Sequence, residues 1–203
     1  MAAQVGTITR AGGEVWFGDE EETETTLRAY PPLRATWARR GQPANVVLSG
    51  RNARRVVHGA RNAATGELVQ LVRERSRQDD CLAFVEAFVE AFVEAFVEAL
   101  GQVRPAVPKL LIGDNAPPHH PTRVREAAER AHITIAWLPF RAPELNPCED
   151  LWRLLKADVA ANRPPSSMDD LAQQAVAWLA ALSPYDRLRC SGWFSAKFQW
   201  LST

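Results

Sequence analysis

Lys109-Leu-Leu-Ile-Gly-Asp114-Asn115 and Asn146-Pro-Cys-Glu149-Asp-Leu-Trp152-Arg-Leu-Leu-Lys156 decide how this chain reads. The first is an apolar run of strand length that ends on an acid. The second opens with Asn, Pro and Glu and continues with apolar residues at helical spacing, as an amphipathic helix does. Between Asp114 and Glu149 lie 34 residues, 115–148. Within them Thr122–Ala131 reads as a helix opened by Pro121, and Ile133–Leu138 as a strand stopped by Pro139. A Pro-rich turn follows. This order can bring an acid at a strand end and an acid at a helix start to one point. Converging carboxylates are what a divalent cation that prefers oxygen ligands requires.

Working outward, a third acid stands upstream. Glu14-Val-Trp-Phe-Gly18 leads into Asp19, and Val15, Phe17 and Asp19 alternate on one face of a short strand. Three carboxylates at element ends suit two-ion chemistry at phosphorus, which needs no Ser, Cys or His nucleophile. Each acid also has a structural alternative. Asp19 opens an acidic run through Glu24 and can be one more solvated charge. Asp114-Asn-Ala-Pro-Pro118 can be a turn in which Asp caps backbone groups. Asn146, Pro147 and Glu149 fit a capping box, with Glu149 reaching back to the Asn146 amide.

Other polar residues flank these positions. His119 and His120 follow Asp114 and can touch phosphate or assist proton transfer. Lys156 lies two helical turns after Glu149, within reach of a phosphate. Trp152 and Leu155 read as core anchors. Cys148 lacks the ligand spacing of a zinc site and reads as a small buried side chain. Arg34, Arg39, Arg40, Arg51, Arg54, Arg55 and Arg61 crowd into a stretch almost free of acids, either a solvated edge or a basic patch.

The remainder fits one domain of strands followed by alternating helix and strand. Residues 1–13 read as a frayed start. Ala35–Gln42 looks like a strand and turn. Arg55–Ala60 and Leu68–Val72, separated by Asn62-Ala-Ala-Thr-Gly66, read as a hairpin. Residues 83–98 are four tandem copies of Ala-Phe-Val-Glu. A period of four drifts by about 40° per copy on a helix, so Phe and Val together cover an arc of roughly 220°. That is a core-packing helix, with surplus apolar surface for another subunit as the sharper alternative, and it is not a heptad coiled coil. Ser167–Leu182 reads as a helix capped by Ser167. The aromatic, basic tail from Pro184 reads as a short helix and a docking strand.

Composition excludes several classes. The chain has 203 residues, 46% of them apolar, with 24 basic and 24 acidic residues. It is long enough for a real core, and its charge balance neither favours nor disfavours nucleic acid. Three scattered cysteines (Cys81, Cys148, Cys190) without a CxxC fit a reducing cytoplasm rather than a disulfide framework. Neither a signal peptide nor a membrane span is expected.

Three segments together resemble the catalytic domain of a DDE transposase, specifically the bacterial insertion-sequence branch of the mariner-like superfamily. They are Trp16-Phe-Gly-Asp19-Glu20, Leu111-Ile-Gly-Asp114-Asn-Ala-Pro-Pro-His119-His120, and Leu138 to Lys156 with its Asn146-Pro-Cys-Glu149 core. The spacing of 34 residues between the second Asp and the final Glu matches the family's. Thr36-Trp-Ala-Arg-Arg-Gly41 also resembles a family segment, and the similarity runs from about Glu14 to Leu188.

The resemblance implies an α/β, ribonuclease-H-like fold: a mixed central sheet of about five strands with helices on both faces. It implies that Asp19, Asp114 and Glu149 bind two Mg2+ or Mn2+ ions, with His119, His120, Arg39, Arg40 and Lys156 as DNA-contact candidates. Asp150, the alternative final acid, breaks the spacing by one. The implied activity is metal-dependent cleavage at transposon ends and strand transfer into target DNA, typically at TA. The implied partners are double-stranded DNA with terminal inverted repeats and a homodimer or larger assembly, in a bacterial cytoplasm at the nucleoid. On this reading residues 14–203 form the catalytic domain. The family's N-terminal helix-turn-helix region has no counterpart in residues 1–13, so a separately encoded helix-turn-helix half is one expected partner. The alternative function is a catalytically silent remnant or regulatory fragment that binds DNA or a full-length transposase.

Overall fold

Trp16 and Phe17 are neighbours on a strand and therefore face opposite ways, yet both are fully buried. Strand β1 (Glu14–Asp19) must accordingly be covered on both faces. The computed structural model describes residues 1–19, 26–46, 48, 53–75, 97–113, 122–140 and 142–201, and in it β1 is the central strand of a mixed sheet.

On one side β1 pairs antiparallel with β3 (Arg54–Asn62), from Trp16↔Asn62 to Asp19↔Gly59. On the other it runs parallel to β5 (Lys109–Gly113), from Glu14↔Lys109 to Phe17↔Ile112. Beyond β5 lies β6 (Ile133–Trp137), also parallel. The short β2 (Thr26–Arg28) pairs with Arg54–Val56, continuing the β1 edge of β3. The far edge of β3 pairs with β4 (Leu68–Arg75). The expected hairpin is present, and its turn has a simple cause. The Asn62 Oδ1 accepts the Ala64 and Thr65 amides at 2.9 and 3.0 Å, and Gly66 supplies a left-handed residue with φ of 74°.

One face carries Phe17, Leu110 and Ile112 against α1 (Ala2–Arg10), α3 (Pro147–Leu155) and α4 (Met168–Ala181). The other carries Trp16, Ala60 and Leu111 against helical residues 97–102 and α2 (Thr122–Arg130). Helices thus flank both faces of the sheet, as expected. α3 runs on into a π-helix, Lys156–Ala160. Ser167 caps α4 by accepting the Asp170 amide at 3.0 Å.

Three local expectations are corrected. Residues 1–13, read as a frayed start, carry α1, because Val5 is buried and Met1 and Ile8 pack on the core. No strand forms over 35–42. That segment keeps only a turn, with Gln42 donating to the Arg39 carbonyl at 2.8 Å, and Trp37 is fully exposed at 101%. The tail forms α5 (Pro184–Cys190) and a 3-10 turn, Ala196–Leu201, in place of a docking strand. It docks through aromatic rings instead, with Trp193 edge-on to Phe17 and stacked on Phe198, each at 6.0 Å. The Ala-Phe-Val-Glu repeats lie outside the described residues through position 96.

The two ends of β1 differ in character. At its start Arg104 bridges Glu14 and Glu67, and the buried Lys109 ammonium donates to the Arg104 and Val107 carbonyls at 2.9 and 3.2 Å. That end is closed by structural polar contacts. The C-terminal ends of β1 and β5 lie side by side where the chain path diverges, β3 going one way and β6 the other. In open α/β sheets such a point is where ligands bind.

Candidate active site

β1 ends at Asp19, and β5 ends at Gly113, the residue before Asp114. Asp114, His119 and His120 lie outside the described residues. The third acid, Glu149, stands in the first turn of α3. Described residues hold the start of α3 against the end of β1.

The helix starts at Asn146, which is completely buried. Its Oδ1 caps the helix by accepting the Cys148 amide at 3.1 Å, and its Nδ2 donates to the Gly18 carbonyl at 3.0 Å. One residue along β1, the Phe17 carbonyl accepts the Cys148 thiol at 3.0 Å. Two consecutive carbonyls just before Asp19 are therefore held from the start of the helix that carries Glu149.

One turn further, the Cη2–Cζ2 edge of the Trp152 ring packs against β3 at Gly59, the residue opposite Asp19. A Cβ at Gly59 would sit 2.7 Å from the Trp152 ring, so glycine is what allows the helix to approach. Trp152 and Leu155 are core anchors, as read from the sequence.

The capping-box alternative for Glu149 is answered by the backbone. The Asn146 amide donates to the Pro143 carbonyl at 2.9 Å and needs no carboxylate. Glu149 is half-buried, with its Oε2 inside. Asp150, the neighbouring acid, is turned to cations, meeting Arg153 at 3.1 Å and Lys197 at 3.5 Å.

Behind the helix start, Arg61 is fully buried opposite Phe17, its guanidinium 5.1 Å from the Trp193 ring centre. Burial lowers its pKa from the usual arginine range, against the pull of the neighbouring Cys148 sulfur.

Glu149 opens into a cleft of about 440 Å³ whose walls include Arg28, Tyr30, Arg34, Arg153 and Lys156. Among the described residues, Lys156 is the predicted contact that lines the same cleft as Glu149. Arg39 and Arg40 do not line this cleft and are exposed on the segment after Pro32. Arg28, Arg34 and Arg153 join the cleft although none was singled out from the sequence as a contact. Arg153 could have been found, because it stands four residues after Glu149 on the same helix face. Arg34 is placed by Asn162, whose Oδ1 accepts the Arg34 amide at 2.8 Å and whose Nδ2 donates to the Arg34 carbonyl at 2.9 Å. That pairing spans 128 residues and has no sequence signal.

Among the described residues no three His, Cys, Asp or Glu side chains gather as a metal-binding group. Of the three candidate acids, only the Glu149 side chain falls within that set. The donor chemistry near it fits a hard, oxygen-seeking cation rather than zinc, because the Cys148 sulfur is turned to the Phe17 carbonyl. Among the described residues, no helix is long and apolar enough to cross a membrane.

The profile of a family described as DDE superfamily endonuclease matches residues 14–172. An insertion element IS630 uncharacterized 39 kDa protein from Shigella sonnei is 24% identical over 165 residues, 81% of this chain. The chain spans 45% of that relative's length. Among solved structures, the Mos1 strand transfer complex superposes with a TM-score of 0.65 at 16% identity, covering 98% of this chain and 58% of that one. A Mos1 mariner paired end complex with Mn gives 0.67 at 16% identity, with 98% and 57% covered. The catalytic domain of Mos1 mariner transposase gives 0.62 at 14% identity, with 98% and 85% covered. At these identities the likeness is one of fold, and it is the ribonuclease-H-like fold expected from the sequence.

Proposed function

The chain belongs to the DDE superfamily endonuclease family, and on that premise we propose that it is a transposase catalytic domain that cuts and joins DNA with divalent metal ions. The observation that carries the proposal is the anchoring of the α3 start on the Phe17 and Gly18 carbonyls. It ties the helix bearing Glu149 to the strand bearing Asp19, at the sheet end where β5 delivers the chain to Asp114.

In this reading Asp19, Asp114 and Glu149 are the metal ligands. Val15 and Phe17, whose face the strand alternation expects Asp19 to share, pack on the α1, α3 and α4 side. Two Mg2+ or Mn2+ ions, when bound, would activate the attacking oxygen and stabilise the leaving oxygen of an in-line displacement. Glu149 contributes a negative charge at a helix N-terminus, where the backbone dipole stabilises it. Arg153 and Lys156 hold backbone phosphates in the cleft beside it, which Arg28 and Arg34 also line.

In the cleavage step water forms the new P–O bond and the 3′ oxygen leaves as a hydroxyl. In strand transfer that hydroxyl forms the new bond to a target phosphate, displacing the target strand's own 3′ oxygen. The DNA is proposed to be the element's inverted-repeat ends and a TA target. The assembly is proposed to hold at least two copies, in line with the paired-end and strand-transfer complexes of the Mos1 neighbours. The bacterial insertion-element relative supports action on the bacterial nucleoid.

The test is cleavage of a duplex carrying the element's own inverted repeat. Cleavage that depends on Mg2+ or Mn2+ and disappears in Asp114→Asn supports the proposal. Cleavage that persists in chelator, or in that variant, rejects it.

A further inference from the structure

Asn146 uses every polar atom it has. Its amide donates to the Pro143 carbonyl at 2.9 Å and its carbonyl accepts the Glu149 amide at 3.3 Å. Its Oδ1 caps α3 at Cys148, and its Nδ2 reaches across to Gly18. The parallel ladder between β1 and β5 is registered up to Phe17↔Ile112, and Asn146 meets β1 one residue beyond that point. The Nδ2 bond therefore lies one residue from Asp19 and three residues, in rigid helix, from Glu149.

Capping alone does not require asparagine, since Ser, Thr and Asp cap as well. Ser and Thr are too short to cap and also reach a neighbouring strand, and an Asp carboxylate offers no proton to a carbonyl. Only the amide accepts on one side and donates on the other. The fully buried setting makes both bonds costly to lose.

Resting on the transposase reading above, we propose that Asn146 is a positioning residue for the metal site: its side-chain amide sets the separation of Asp19 and Glu149, and so the affinity for the metal ions. Pro143, whose carbonyl holds the Asn146 backbone amide, makes the placement of Asn146 independent of Glu149.

The probe is Mn2+ binding measured by calorimetry without DNA, on wild type, Asn146→Ser and Glu149→Gln. Ser keeps the cap and adds no charge but cannot reach Gly18. The expected result for folded Asn146→Ser is a loss of at least tenfold in Mn2+ affinity, with DNA affinity in chelator changed less than twofold. Its cleavage rate should fall more through kcat than through KM, and higher Mn2+ should recover part of it. A folded Asn146→Ser that binds Mn2+ within twofold of wild type overturns the proposal.

A control separates the two layers. Mn2+ binding that is lost in Glu149→Gln but intact in Asn146→Ser rejects only the positioning role. Absence of Mn2+ binding in wild type rejects both. Should Asn146→Ser not fold, the wild-type protein decides. The Asn146 side-chain NH2 resonances should exchange slowly and shift on Mg2+ titration, and resonances blind to Mg2+ overturn the proposal.

Discussion

Gly59→Ala places one methyl group where the sheet and α3 touch. The new carbon would lie 2.7 Å from Cη2 and Cζ2 of Trp152, whereas carbon pairs prefer about 3.5–4.0 Å. Helix and sheet must therefore part by roughly 1 Å. Overpacking of this kind costs about 1–3 kcal/mol, and replacing a strand glycine returns about 0.5–1 kcal/mol. The net expectation is a loss of about 1–2 kcal/mol in urea unfolding, or about 2–8 °C in Tm.

The functional loss should be larger than the stability loss. Gly59 pairs with Asp19, and Trp152 sits one turn after Glu149, so the parting separates the two elements that carry these acids. A misplacement of about 1 Å can cost on the order of 100-fold in rate. Trp152→Phe supplies the internal check, since phenylalanine lacks the two ring carbons in question. In the Gly59→Ala background it should recover stability and cleavage relative to the sum of the single effects. Wild-type stability and cleavage in Gly59→Ala, or strictly additive losses in the double variant, would refute the reasoning.

Asp150→Asn should leave metal-dependent cleavage within roughly threefold and cost less than about 1 kcal/mol, because its partners are partly exposed surface cations. Arg153→Ala and Lys156→Ala should each weaken DNA binding regardless of sequence and reduce the slope of log affinity against log salt by about 1. Fluorescence anisotropy across a salt series reads both effects. Burial holds the Lys109 pKa below the ordinary lysine range, so within the window between the two values the unfolded chain binds the extra proton. Stability should therefore rise with pH through that window, and Lys109→Met should remove this part of the slope in urea melts at successive pH values.

Much of this arrangement was legible because local chemistry and global fold agree. The run Lys109–Gly113, the Pro139 stop, the Ser167 cap and the Asn62–Gly66 turn each carry their own instructions. Asn146 was recognisable as a cap, but its second bond, to Gly18, joins positions 128 residues apart. No periodicity announces such a bond. The same holds for Asn162, which aims Arg34 at the cleft, and for Gly59, whose missing side chain has meaning only beneath Trp152. Arg34, Arg39 and Arg40 drew notice through local charge density, but cleft membership follows three-dimensional position: of these Arg34 lines the cleft, beside Arg28 and Arg153 from other parts of the chain. The N-terminal helix was missed because its apolar residues are sparse and only docking on the sheet buries Val5.

The most direct test of the proposed metal site is anomalous diffraction from crystals of the protein soaked in Mn2+. Two peaks roughly 3.5–4 Å apart, coordinated by Asp19, Asp114 and Glu149 and lost in Glu149→Gln, are the expected result. Mn2+ peaks at other residues, or density at the β1 and β5 ends that survives Glu149→Gln unchanged, would contradict it.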